Sequence, residues 1–471
     1  MALVGRKPEI ELLKSLENSD KSELVAIYGR RRIGKTYLIR EVYKNKMIFD
    51  IIGLHNGNLK DQLQNFTDTL NAKPQYKKTK ISRPSSWREA FILLGNYIDK
   101  IKNKQKKIIF IDEFPWMATR RSNFLMWFEN FWNSYCTKRN DLIVVVCGSA
   151  ASYMVKDIIK NKGGLHNRIT QKIRLLPFNL HETKLFLESK NIKFHLYDYL
   201  QIYMAIGGIP YYLEMLQKGK SVSQNIDTLC FAEAGMLHNE FNEVFTSLFN
   251  KSEIHKKIIR LLATNKGLSQ KEILNKLNLK QSGYTSNIFN ELLESGFISQ
   301  YTPYNKKLRN SLFRLSDEYC MFYLKFIEPN KATGKGTWQK LSAKQTYKVW
   351  SGFAFETICT KHIQQIKHAL GIGKVFTIHS AWKSDKAQID IIIDRDDNII
   401  NICEIKFYNK TYTLDKNSSK NIENKLNSFK EITQTKKIIN TTLITTFGTK
   451  TNSYYLNTID EELKMDCLFQ F

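Results

Sequence analysis

The chain is 471 residues long, 42% apolar and 12% aromatic, with 72 lysine and arginine residues against 45 aspartate and glutamate, a net charge of +27. That length suits two to four domains; no apolar run is long enough for a membrane span, and seven scattered cysteines without a CxxC pair support neither a zinc site nor a disulfide framework. The charge excess favours a polyanionic partner, DNA first, although a lysine- and asparagine-rich composition alone produces the same sign.

The amino-terminal "MALVGRKPEIELLKSLENSD" lacks the basic and apolar regions of a secretory signal, so a cytoplasmic protein is expected. Residues 1–176 alternate short apolar runs with amphipathic stretches. "ELVAIYG", "MIFDIIG", "KKIIFID" and "LIVVVCGS" suit buried parallel strands, and their order predicts an α/β domain with right-handed crossovers. Residues 177–250 turn helical and predict a small lid. Residues 251–330 read as three helices and a hairpin, a winged helix-turn-helix pattern, with Ser269 and Glu272 placed for a capping box. Residues 329–342 read as a linker or an ordered loop. Residues 343–471 open on one long helix, "KQTYKVWSGFAFETICTKHIQQIKHAL", followed by strand-like runs that predict a separate mixed sheet.

Gly29-Arg30-Arg31-Arg32-Ile33-Gly34-Lys35-Thr36 fits G-x-x-x-x-G-K-[ST], with a strand before it and a helix after it, and these residues together with Tyr37 are the candidate nucleotide-binding residues. Such a loop points backbone N–H groups and a helix N-terminus at phosphates. Lys35 then reaches the β- and γ-phosphates of ATP, and Thr36 ligates Mg²⁺. The three arginines are divided between phosphate, or a bound acidic element, and solvent. "KKIIFIDEF" ends a strand in Asp112-Glu113. Asp112 is placed to help hold Mg²⁺ and Glu113 to polarise the attacking water; ordinary loop acids are the alternative. Ser149 ends the next strand, where a polar side chain senses a γ-phosphate or merely caps the strand. Arg168 is a candidate arginine finger, from a neighbouring domain or subunit, or a surface arginine. Pro210, in "GGIPYYL", stands where a lid contacts nucleotide.

"LVGRKPEIELL", "YGRRRIGKTYLI", "FIDEFPWM", "CGSAAS", "NRITQKIRLLPF" and "GGIPYYL" together resemble the archaeal-type ATPases, which lie among the AAA-related and signal-transduction P-loop NTPases. The resemblance covers most of residues 1–330. It implies that Lys35, Thr36, Asp112 and Glu113 carry nucleotide chemistry, that Ser149 is a sensor, and that "VGRKPEIELL" packs near adenine. Arg168 falls near the family's finger arginine, but Asn167 replaces the glycine that usually precedes it.

"QIDIIIDRDDNIINICEIKFY" reads as a β-hairpin about "RDDN". Asp390 then falls opposite Cys403 or Glu404, and Glu404 shares a strand face with Lys406. Two close carboxylates favour a cation between them, and Mg²⁺ or Mn²⁺ is the natural guest. Lys406 could orient or deprotonate a metal-bound water for phosphodiester hydrolysis; an ordinary cross-strand charge pair is the alternative. Asp390…Glu404-Ile405-Lys406 resembles the PD-(D/E)xK nuclease superfamily, over about residues 343–450. That resemblance implies a restriction-endonuclease-like α/β domain and matches Glu356 to an additional acidic metal ligand. Lys420 and Lys425 either touch a DNA backbone or form a solvated face.

On the third helix of the 251–330 block, Lys280, Gln281, Tyr284, Thr285 and Asn287 lie toward the exposed start, and Lys306, Lys307 and Arg309 sit at the hairpin tip. Three functions compete: an ATP-gated nuclease acting on DNA, a non-cleaving nucleotide switch with a C-terminal binding module, and a transcription regulator. A homo-oligomer is compatible with each.

Overall fold

The apolar runs of the first block form a parallel sheet of β1 (Glu23–Tyr28), β2 (Met47–Ile52), β3 (Lys107–Asp112), β4 (Leu142–Gly148) and β5 (Gln171–Arg174), in the order β2-β3-β4-β1-β5. β3 and β4 are buried along their whole length, which is why they read as continuous apolar runs rather than alternating ones. β5 escapes that reading: it is a four-residue edge strand with one buried side chain, Ile173. The computed structural model describes residues 3–103, 105–149, 153–154, 158, 167–249, 251–331 and 333–471. Residues 150–152 of the "CGSAAS" stretch lie outside them. The chain divides into two compact units, Met1–Leu176 and Pro177–Phe471.

In the first unit the helices Trp87–Asp99 and Phe124–Ser134 lay their apolar faces against each other and the sheet. Ser86 caps the first by accepting the Glu89 N–H. Phe91 stacks on Phe131 with ring centroids 5.1 Å apart, and Trp87 meets Phe124 edge-on at 4.7 Å. This aromatic slab fixes the strands whose carboxyl ends carry the acidic pair.

The second unit begins with the helices Leu180–Ser189, Leu196–Ile206, Val222–Cys230 and Glu240–Leu248. Then come Glu253–Ala263, Gln270–Lys276, Gly283–Glu294 and an antiparallel hairpin of β6 (Ile298–Tyr301) and β7 (Leu312–Leu315). Ser269 and Glu272 form the expected capping box. Thr285 departs from expectation. It is buried at 5% exposure, and its hydroxyl bonds the Ser282 and Lys280 carbonyls. A side chain committed to its own helix start cannot read a groove. The neighbouring Lys280, Gln281, Tyr284 and Asn287 are exposed, as are Lys306, Lys307 and Arg309.

Residues 333–342 are packed chain rather than a linker. Asp227 accepts the Gly336 and Trp338 N–H groups at 2.5 and 2.9 Å, and Trp338 is buried among Phe231, Phe322 and Phe326. The long helix expected next breaks at His362 into Gln345–Lys361 and Ile363–Ala369. At the break the imidazole Nε2 accepts the Leu180 N–H at 3.0 Å while Nδ1 lies 2.8 Å from the Ile358 carbonyl. Burial drives His362 down to about 4, so it is neutral at pH 7. Last comes a mixed sheet of β8 (Thr377–Lys383), β9 (Gln388–Arg395), β10 (Ile399–Lys406), β11 (Ile438–Thr445) and β12 (Glu461–Lys464), in the order β12-β11-β10-β9-β8. β8, β9 and β10 pair antiparallel; β10, β11 and β12 pair parallel.

Candidate functional sites: a phosphate loop and a carboxylate–lysine cluster

β1 ends at Tyr28 and the helix Lys35–Val42 begins at the seventh residue after it, so residues 29–34 form a loop at a helix N-terminus. Glycine is required at its first position. Gly29 has φ 145°, and a Cβ there would stand 2.3 Å from the Leu175 carbonyl oxygen. Gly34, with φ 86°, turns the chain into the helix. Lys35 folds back inside the loop, its Nζ donating to the carbonyls of Arg30 at 2.8 Å and Gly29 at 3.2 Å. Burial holds its pKa below the ordinary lysine value, against the pull of Cys147, Glu113 and Asp112. The arginine run is less exposed than expected: Arg30 is buried, Arg31 and Arg32 are half-buried, and only Tyr37, in the following helix, stands out.

The acids meet the loop because β3, β4 and β1 are successive neighbours with their carboxyl ends aligned. Thr36 Oγ1 donates to Asp112 Oδ2 at 2.6 Å. Two oxygens so placed beside a phosphate loop fit Mg²⁺, which takes hard oxygen ligands. Glu113 sits in the left-handed region at φ 45°, with its own N–H bonded to Asp112 Oδ1 at 2.9 Å. A non-glycine residue rarely holds that conformation. Here it brings the Glu113 carboxylate to Ser149, whose hydroxyl donates to Oε2 at 2.9 Å. Lys35, Thr36, Asp112, Glu113 and Ser149 thus gather at one end of the sheet.

Arg168 does not join them within this unit. Thr170 is level with Leu24, so Arg168 is exposed beyond the amino end of β5, roughly 20 Å along the strands from the loop. Two arginines that sequence reasoning missed do lie near the loop. Arg6 is buried and donates to the Ile33 carbonyl at 3.3 Å. Arg174 pairs with Tyr28, the residue before the loop. Neither has a spacing signal: the first arrives through a distant amino-terminal segment and the second through the edge strand. Pro210 opens the helix Pro210–Leu213 of the second unit.

In the second unit, β9 and β10 pair so that Cys403 faces Ile391, and the same register brings Asp390 level with Glu404. Glu404 is the hub of one charge group. Lys406 Nζ stands 2.9 Å from its Oε1 and Lys425 Nζ, from the helix Lys416–Thr433, 2.8 Å from its Oε2. Burial pushes Glu404 up, but the two ammonium groups outweigh it and hold the carboxylate below its usual value. Lys425 is therefore no solvated side chain. Glu356, on the helix Gln345–Lys361, belongs to a second group. Lys266 Nζ lies 3.4 Å from Glu356 Oε2 and 3.5 Å from Asp390 Oδ1. Burial, then the Asp390 charge, lifts Glu356 to about 7. Arg314 of β7 is also close, its pKa depressed by burial and supported by Tyr301, Asp390 and Glu356. Among the described residues, no three His, Cys, Asp or Glu side chains form a ready metal cage. Glu356 and Asp390 nevertheless offer hard oxygen donors around one positive charge, the Lys266 ammonium.

A strand, a glycine-bounded loop, a buried lysine and strand-end acids define the class of P-loop ATPase domains. Residues 3–216 match the family described as an ATPase domain predominantly from Archaea. Residues 323–424 match a family of archaeal and bacterial proteins of unknown function. An uncharacterized protein of Methanocaldococcus jannaschii is 26% identical over 405 residues, covering 84% of this chain and 85% of its own. An uncharacterized ATP-binding protein of the same organism is 49% identical over 45 residues, 10% of this chain and 76% of its own. Among solved structures, the Walker-type ATPase of Pyrococcus abyssi is similar with 17% identity and a TM-score of 0.49, over 68% of this chain and 96% of that one. No helix among the described residues is long and apolar enough to cross a membrane.

Proposed function

We propose that the first unit binds and hydrolyses ATP with Mg²⁺, and that the second acts on DNA as a metal-dependent nuclease gated by the nucleotide state. The observation that carries the ATPase half is the 2.6 Å contact between Thr36 and Asp112, flanked by Glu113 on Ser149. Thr36 and Asp112 hold the ion and Lys35 binds the phosphates. Glu113 orients water, with Ser149 fixing its carboxylate. Arg168, far from its own loop, serves as a finger only in the site of a neighbouring subunit.

For the second unit, residues 251–330 are read as a winged helix-turn-helix and the C-terminal sheet as a PD-(D/E)xK fold. Glu356, Asp390 and Glu404 would hold Mg²⁺ or Mn²⁺, which supplies activation of a water toward a phosphodiester. Lys406, paired to Glu404, positions that carboxylate. Wild-type protein incubated with DNA, Mg²⁺ or Mn²⁺ and ATP is expected to cut, and the Asp390→Ala, Glu404→Ala double variant is not. The ammonium group beside each carboxylate favours a second reading, a switch whose C-terminal domain binds without cleaving. DNA left intact under all metal and nucleotide conditions selects that reading.

A further inference from the structure

We propose that Lys266 is a built-in counter-ion that takes the divalent cation's place between Glu356 and Asp390, so that the turn carrying it keeps the carboxylate site closed to metal. The inference rests on reading those carboxylates as a metal site.

Lys266 belongs to neither the C-terminal sheet nor the helix bearing Glu356. It lies in the turn between the helices Glu253–Ala263 and Gln270–Lys276. Its ammonium group is nevertheless placed from three sides. Glu356 and Asp390 lie 3.4 and 3.5 Å away, and the Phe353 ring centroid lies 4.5 Å away. Phe353 and Glu356 are three apart on one helix, so the ring and the carboxylate present a single face to the lysine.

The turn itself is pressed into position. A Cβ on Gly267 would stand 2.4 Å from the Tyr301 hydroxyl, so a side chain beside Lys266 would have to push the Tyr301 ring aside. Asn265 anchors the other side by donating to the Leu261 carbonyl at 2.7 Å. A solvated lysine would need neither restraint.

Release is equally provided for. The Lys266 side chain is 44% exposed, and neither carboxylate contact is a short hydrogen bond. It borders a cavity of about 600 Å³ that also reaches Arg260, Arg314, Lys325 and Trp350. The ammonium can swing into that space, or onto an incoming phosphate, without unfolding anything. Lys425 and Lys406 differ, since both hold Glu404 at hydrogen-bond distance and are less exposed. Of the lysines at this cluster, Lys266 is the one suited to leave.

Mn²⁺ titration followed by electron paramagnetic resonance, without nucleotide, tests the proposal independently of cleavage. Asp390→Asn measures binding elsewhere in the chain. Lys266→Met is expected to bind Mn²⁺ about five- to tenfold more tightly than wild type, because two weak exposed ion pairs no longer compete. Asp390→Asn added to Lys266→Met should remove the gain, and Lys266→Arg should keep the wild-type affinity. Equal affinities in wild type and Lys266→Met, with both above the Asp390→Asn background, overturn the counter-ion and leave the metal site standing. Titrations of both that match that background overturn the metal site, and the proposal with it. Matching circular dichroism and melting profiles for the Lys266 variants show that the comparison is between folded proteins.

Discussion

The two units each join acids to a lysine, and they do so in opposite ways. In the first, Lys35 satisfies itself on the carbonyls of its own loop, while Asp112 and Glu113 are held by the hydroxyls of Thr36 and Ser149. Among the described residues no lysine is ion-paired to these acids, although Lys35 lies close enough to feel their charge, and a hydroxyl is easily shared with a metal or water. In the second, Glu404 is gripped by Lys406 and Lys425, and Lys266 bridges Glu356 to Asp390. The first site is built for immediate use. The second is charge-neutralised, so on the reading proposed above a divalent ion would enter only after a displacement. Carboxylates near a lysine are therefore a poor guide to chemistry until each charge has been assigned its partner.

The sharpest way to break this contrast is Lys35→Ala. The buried ammonium has no substitute among the loop's backbone donors, so ATP turnover measured by phosphate release should fall by at least about a hundredfold. Turnover within a few-fold of wild type would remove the phosphate loop from the mechanism and with it half of the comparison.

A paired substitution sharpens it further. Glu404→Ala leaves two partly buried ammonium groups facing each other, and should lower the stability of the second unit by about 2–4 kcal/mol in a denaturant titration. Glu113→Ala removes a half-buried residue whose left-handed backbone is unfavourable for any side chain. It should change stability by less than about 1 kcal/mol while reducing turnover at least tenfold. Equal stability losses in the two variants would mean that the acids are structural in both places.

Legibility in the sequence follows the same division. The first site was readable because its parts lie at strand ends and in one eight-residue motif, where local spacing dictates geometry. The antiparallel register of Asp390 with Glu404 was readable for the same reason, since a short hairpin leaves little choice. What the sequence concealed was remote. Lys266 and Lys425 reach the carboxylates from 90 and 21 residues away, and no periodicity encodes such a meeting. β5 was hidden because an edge strand with one buried side chain shows no alternation. Thr285 was misplaced because a capping threonine and an exposed recognition residue occupy the same turn of a helix. The break at His362 was invisible because an apolar helical pattern runs straight through it, and the Leu180 N–H that meets the imidazole there comes from 182 residues away.

That kink gives the smallest effect, and one that should separate the units by pH. His362 accepts from Leu180 on Nε2 and is neutral, with its folded-state value near 4. In an unfolded chain the value is about 6.5, so the unfolded state takes up the proton first as pH falls. The contribution of the neutral imidazole is therefore complete above about pH 6.5 and is lost progressively as the pH drops toward 4. Between pH 7 and 5.5 the loss is about 1 kcal/mol. It should appear in the unfolding of the Pro177–Phe471 unit and vanish in His362→Gln, whose amide can still accept the Leu180 N–H. The Leu180 amide gives a local readout, because its hydrogen-exchange protection should fall with the same pH dependence. Protection that stays constant over that range, after correction for intrinsic exchange, would show that the imidazole is protonated without cost and that Leu180 has another acceptor.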